Sequence, residues 1–236
     1  MVALKCTEIP IDDIQYNEPK QNQHGGNMVG LSFNGTKMTM QIPKAPVPFG
    51  VNTLTTEKNE IRKSIDISFR GLENNPQLQE FYDWARDFDN RNKAMAMKNC
   101  EPWLKRKTLS EEVVGELYKC LVNDKSQGKY PPTMRFKLPT NSDGDFTGKV
   151  FAPDRTPLTE ADITKGSEVS LLVEVQPMWF VNKQFGVTFK VSQIKLFKKE
   201  SFSDYAFRDD DDDGLLVDST VVQDTTTSVG DSSQGH

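Results

Sequence analysis

The sequence predicts an α+β domain in which β-strands flank an inserted helical segment, followed by an acidic tail with no core of its own. Three patterns predict it. Apolar residues alternate with polar ones in "TKMTMQI", "EIRKSIDISF" and "TMRFKL"; they recur at helical spacing near 76–97 and 110–122; and almost nothing remains to bury after Asp204. A hydrophobic share of 36%, with 15 Gly and 13 Pro, suits one loop-rich main core better than a helical bundle.

Residues 1–28 include the polar run "NEPKQNQHGGN" and read as an arm or loop. The domain proper is expected over 29–203. Its first strand places Met38, Met40 and Ile42 on one face, and "PKAPVPFG" then breaks the pattern. A second strand sets Ile61, Ile65, Ile67 and Phe69 together, with Lys63 the one intruder. Pro76 suits a first helical turn, and Leu78, Phe81, Tyr82, Ala85 and Phe88 then form one stripe. Ser110 is a good N-cap for a second helix with Val113, Val114, Leu117, Cys120 and Leu121 inward. Strands resume with Met134, Phe136 and Leu138 opposite Arg135 and Lys137.

The last ordered stretch, "SEVSLLVEVQPMWFVNKQFGVTFKVSQIKLF", reads as a long hairpin. A two-residue loop at Asn182 and Lys183 sets Val175 beside Lys190, which mixes core with solvent. A three-residue loop, Asn182 to Gln184, groups Val175, Trp179, Val181, Phe185, Val187, Phe189 and Val191, and is the register the apolar pattern favours. It leaves Met178, Phe180 and Lys190 outside, with Lys183 at the tip. Pro177 implies an edge or a bulge that exchanges the roles of Trp179 and Phe180, so one of the two rings is expected at the surface.

The formal net charge of -5 averages two unlike regions. From Asp204 onward there are nine Asp and one Arg; removing them from the totals of 34 and 29 leaves 25 acidic and 28 basic residues in 1–203. A mildly basic body with an acidic tail is one recognised pattern of nucleic-acid binders, and also of proteins that merely carry a solubilising tail. Three cysteines and two histidines show no zinc-ligand spacing, and no Gly-rich phosphate loop or nucleophile elbow is present. The chain is therefore read as non-enzymatic, without metal or cofactor. No signal-peptide or membrane-length apolar run appears, so a cytosolic, non-membrane protein is expected.

An exposed ring flanked by ammonium groups on a sheet can stack an unpaired base while the lysines neutralise phosphates. The candidates for this chemistry are Trp179, Phe180, Lys183 and Lys190 in the hairpin, Arg135 and Lys137 on the preceding strand, and Trp103, Lys105, Arg106 and Lys107 in "WLKRK". The same features also describe a plain solvated face, or an adaptor or virion component that docks proteins through its exposed rings.

The order "PTMRFKLP", "GKVFAPDRTPLT", then "KGSEVSLLVEVQPMWFVNKQFGVTFKVSQIKLF", over residues 130–200, resembles the single-stranded DNA-binding proteins of large nucleocytoplasmic DNA viruses. The resemblance implies an antiparallel β-barrel of the oligonucleotide-binding (OB) type and cooperative coating of single-stranded DNA, or RNA, in replication, recombination or repair. It implies a cytoplasmic or nuclear site in an infected cell and self-association on DNA. The ring at Trp179 or Phe180 would stack, and Arg135, Lys137, Lys183 and Lys190 would meet phosphates. The tail, with Asp209 to Asp213, would then act as a phosphate mimic or recruit replication and repair proteins.

Overall fold

A computed structural model describes residues 3–21, 26–124 and 128–197. The acidic tail expected at 204–236 lies outside the described residues. The chain runs through β1 (Gln15–Gln21), β2 (Asn27–Ser32), β3 (Thr39–Pro46), β4 (Val51–Thr55), β5 (Ile61–Ser68), α1 (Pro76–Lys98), α2 (Cys100–Leu104) and α3 (Glu111–Leu117). It continues through β6 (Tyr118–Lys119), β7 (Val122–Asn123), β8 (Thr133–Leu138), β9 (Lys149–Phe151), β10 (Pro157–Leu158), β11 (Glu168–Val175), β12 (Met178–Val181), β13 (Gln184–Gly186) and β14 (Phe189–Phe197).

The alternating patterns become strands because each has one face to bury. Met38, Met40 and Ile42 are sealed, as are Ile65, Ile67 and Phe69. Lys63, the intruder on that face, forms an ion pair with Glu160, which lets a cation sit beside the core. Helix α1 begins as its sequence dictates: Asn75 accepts a hydrogen bond from the Leu78 amide at 3.1 Å, and Pro76 follows at the first helical position. It buries Leu78, Phe81, Trp84, Ala85 and Phe88.

The fold is mostly β with a few helices, in two mixed sheets. The large sheet follows the path β10-β9-β14-β8-β5-β4, with β11 lying between β14 and β3 and β7 on β8. The small sheet has the order β1-β2-β12-β13-β6. Most pairs are antiparallel, but β14 runs parallel to both β8 and β9, and β13 runs parallel to β6.

The expected antiparallel barrel does not close. Among the described residues no ladder joins β3 to β4 or β5; the free edge of β3 is occupied instead by Leu4, whose amide donates to Thr39 and whose carbonyl accepts from Gln41. Residues 3–21, read from sequence as arm or loop, are built into the fold: Leu4 supplies that cover, and β1 forms an edge of the small sheet. Two short 3-10 turns and β1 are held there by buried Cys6, Ile9 and Ile14, and the Trp84 indole donates to the Ile9 carbonyl at 2.9 Å.

The second helix also departs from its pattern. It starts at Ser110, whose hydroxyl accepts from the Val113 amide, but stops at Leu117. Tyr118 leaves the helix to pair with Phe185, and Cys120, placed inward by the helical stripe, is exposed. Tertiary strand pairing overrides a helical periodicity that extends only one more turn.

Candidate nucleic-acid interface

The closing hairpin decides which ring reaches the surface. Val181 pairs with Gln184, so the loop holds two residues, Asn182 and Lys183, with φ of 50° and 64°. Positive φ at both central positions is the I′ geometry that matches strand twist. The three-residue loop favoured by the apolar pattern is therefore not formed. That pattern assumed one unbroken ladder, whereas the register slips by one residue at Pro177: Trp179 faces Gly186, yet Val175 faces Phe189 and Val173 faces Val191. The extra residue on the Pro177 side lets a tight turn coexist with an apolar register in β11 and β14.

The consequence is that Trp179 and Phe180 take opposite sides. Phe180 is only 8% exposed and stacks on Phe185 at 5.5 Å between centroids, with the planes 8° apart. Trp103 is 4% exposed and lies against Tyr16 and Phe180 beneath the small sheet. Neither ring can offer a face to a base, which corrects two of the sequence candidates. Both are large apolar surfaces turned inward, Phe180 on the buried row of the small sheet and Trp103 in α2, and core packing outweighs their flanking cations.

Trp179 is half-buried, and its indole N–H donates to the Thr188 hydroxyl at 3.2 Å. A side-chain carbon added at Gly186 would meet the indole Cζ2 at 3.1 Å, so the ring lies directly along a backbone with no side chain to displace it. Directly paired residues of a sheet share a face. Pairing therefore assembles one row across the small sheet: Lys20, Met28, Trp179, Gly186 and Lys119. Lys20 and Lys119 are exposed and Met28 and Trp179 half-buried. The adjoining row, containing Phe180, Phe185 and Tyr118, is buried.

Sequence reasoning missed Lys20, Met28 and Lys119. Lys119 reaches Trp179 through a parallel pair between segments far apart in sequence, and Lys20 lay in the stretch read as an arm.

The remaining cations divide by what they touch. On the outer face of the large sheet, Lys190 stands beside Lys137 across the parallel pair, and Lys190 follows Thr188 by two residues. Arg135 is on the same strand face as Lys137, but its guanidinium forks onto Asp66 at 2.8 and 2.9 Å. That bidentate bond raises the Arg135 pKa further and holds one edge of the guanidinium on Asp66, leaving its other N–H groups to solvent. Lys183 is exposed at the hairpin tip. Lys105, Arg106 and Lys107 are exposed in the turn after α2, apart from any exposed ring of the "WLKRK" segment itself.

A buried polar chain supports the small sheet from below. The Tyr16 hydroxyl donates to Asn92 at 2.7 Å, Asn92 donates to the Tyr118 hydroxyl at 3.0 Å, and Tyr118 donates to Asp89 at 2.7 Å. Asp89 also accepts from the Leu121 amide at 3.1 and 3.0 Å. Burial pushes the Asp89 pKa up to about 6 against these stabilising bonds, and burial beside Asp89 drives Tyr118 well above its usual value.

A family model described as a family of unknown function (DUF5871) matches residues 73–209, more than half of the chain. The chain belongs to this family. No curated protein sequence matches it. Among solved structures, this DUF5871 member is similar to the single-stranded DNA-binding protein gp2.5 of bacteriophage T7, with 12% identity and a TM-score of 0.49 over 73% of this chain and 98% of that one. It is similar also to the single-stranded DNA-binding protein of bacteriophage Enc34 in complex with single-stranded DNA, with 10% identity and a TM-score of 0.41 over 78% and 96%. At these values the functional reading of the DUF5871 chain rests on its own residues.

Proposed function

We propose that the protein binds single-stranded DNA without regard to sequence, by stacking a base on Trp179 and holding the backbone with lysines. The single observation that carries this reading is the row in which a half-exposed indole, seated on Gly186, lies between Lys20 and Lys119. Stacking needs only the flat face that every base has, and phosphate contacts carry no sequence information. Lys137 and Lys190 favour the same ligand. The two ammonium groups stand side by side and repel; Glu174, directly opposite Lys190 on β11, offsets part of that cost, and an anionic backbone laid over the pair relieves the rest.

Finer assignments follow as expectations of this reading. We read the order β3-β11-β14-β8-β5, laid over one hydrophobic core, as a partly open barrel of the OB type. The likeness of residues 130–200 to viral single-stranded DNA-binding proteins extends the role to replication, recombination or repair, with no catalysis by the chain itself. Asp209 to Asp213 would compete for the lysines and recruit partner proteins, and Lys183 would reach a phosphate from the hairpin tip.

A titration of labelled oligonucleotides at several salt concentrations tests the reading. Affinity should fall linearly on a log-log plot, with a slope of roughly -0.7 for each phosphate neutralised. Absence of binding at ~50 mM salt, where such contacts are strongest, would leave a protein-docking role, for which Phe49, Leu54, Tyr130 and Val181 are the exposed large apolar side chains among the described residues.

A further inference from the structure

A cleft of about 620 Å³ opens where the small sheet ends, between α1, the end of α3 and β7. Its volume lies within the range of small-ligand sites. Lys119 belongs to both features. It lines the cleft, and its Cβ lies 3.3 Å from the point where a Gly186 side chain would stand, next to the Trp179 ring edge at 3.1 Å. The row of the small sheet therefore ends on a residue of the cleft wall.

The charges of the cleft are unequally engaged. Arg86 and Asp124 pair with each other at 3.8 Å, and Asp89 is taken up by Tyr118 and Leu121. Lys93 projects over the Tyr118 ring at 5.8 Å from its centroid and its charge also acts on Asp89, but among the described residues neither Lys93 nor Lys119 has a carboxylate within ion-pair distance. One carboxylate, Glu116, remains exposed on the α3 rim.

Resting on the reading of Trp179 as a stacking platform, we propose that the nucleic-acid track crosses the small sheet from Lys20 to Lys119 and continues into this cleft. There Lys93 and Lys119 hold a phosphate of a nucleotide beyond the stacked base. The crossing spans four inter-strand gaps, ~19 Å in all, and two of them, ~10 Å, separate the stacked base from Lys119, so the cleft is reached by the nucleotides just beyond the stacked one. Glu116 opposes the arriving phosphate and sets an upper limit on the affinity of this end of the track.

Fluorescence anisotropy with oligothymidylates of increasing length, from dinucleotides to ~16 nucleotides, tests the proposal on the full chain. Lys93→Gln removes one phosphate contact and Glu116→Lys adds one. For long oligonucleotides at ~0.1 M salt the first should weaken and the second should tighten binding about fivefold, with salt slopes moved by roughly 0.7 in opposite directions. For the shortest oligonucleotides, which reach Trp179 alone, both variants should match the wild type.

Wild-type affinity and slope in both variants at every length would overturn the cleft assignment while leaving the stacking site intact. A wild-type chain that binds no oligonucleotide of any length overturns both. Glu116→Lys, a change at an exposed position, guards against Lys93→Gln losing affinity merely through a disturbed fold.

Discussion

Replacing Trp179 and Phe180, adjacent residues on one short strand, should produce opposite defects. Trp179 is half-buried, hydrogen-bonded to Thr188, and lies on a backbone without a side chain, so Trp179→Ala removes a surface platform and leaves little cavity. Base stacking is worth ~1–3 kcal/mol by such truncation, which corresponds to about 5- to 150-fold weaker binding. Phe180 is sandwiched between Phe185 and Trp103, and its removal should cost ~3–5 kcal/mol of stability. That is a large share of the ~5–15 kcal/mol of a typical domain, so Phe180→Ala should melt at a much lower temperature. The assay is intrinsic fluorescence. Of the three tryptophans, Trp84 and Trp103 are 8% and 4% exposed, so quenching by an oligonucleotide reports chiefly on Trp179. Trp179→Ala should lose the quench and the affinity while its melting curve stays close to wild type. Trp179→Phe, which keeps a ring but loses the N–H, should fall between. An affinity in Trp179→Ala within about twofold of wild type, a difference of only ~0.4 kcal/mol, would refute the platform.

Three further outcomes follow from the same geometry. Lys183→Gly should separate binding from folding: it relieves a left-handed conformation at a non-glycine residue, raising stability by ~1 kcal/mol in thermal melts, and removes a cation, lowering the salt slope by roughly 0.7. Arg135→Ala should reduce affinity less than Lys190→Ala does, because its guanidinium already serves Asp66, and should reduce stability instead, as parallel anisotropy and denaturation measurements would show. Asp89 should make stability fall as pH rises. Its proton is held in the folded state up to about 6 against 3.8 for the free group, so the folded state binds more protons between those values. The loss approaches ~3 kcal/mol once pH passes 6, and denaturant titrations from pH 4 to 7 should show that slope in the wild type and not in Asp89→Asn.

Much of the fold was legible because local pattern and tertiary demand agree there. Asn75 and Pro76 mark the start of α1, and Met38, Met40 and Ile42 mark a strand, whatever the rest of the chain does. The failures occur where a remote partner decides. Nothing near Leu117 announces that Tyr118 will abandon a helix for a parallel pair with Phe185. Nothing near Leu4 announces that its backbone will cap β3 and keep the sheet from closing on itself.

The site shows the same division in a sharper form. Sequence could state that one of two adjacent rings must face out, since neighbours on a strand always point to opposite sides. It could not choose between them, because the choice depends on a single-residue slip at Pro177 that reconciles a two-residue turn with the apolar register of β11 and β14. The slip also selects the company the exposed ring keeps. With Trp179 outward, the row it joins runs to Lys119 and onward to the cleft under Lys93; had Phe180 been outward, its row would have run to Tyr118, which is fixed in place by Asn92 and Asp89. The buried chain from Tyr16 to Asp89 thus commits one face of the small sheet to the interior, and by doing so commits the other, with its indole and flanking lysines, to whatever binds from solution.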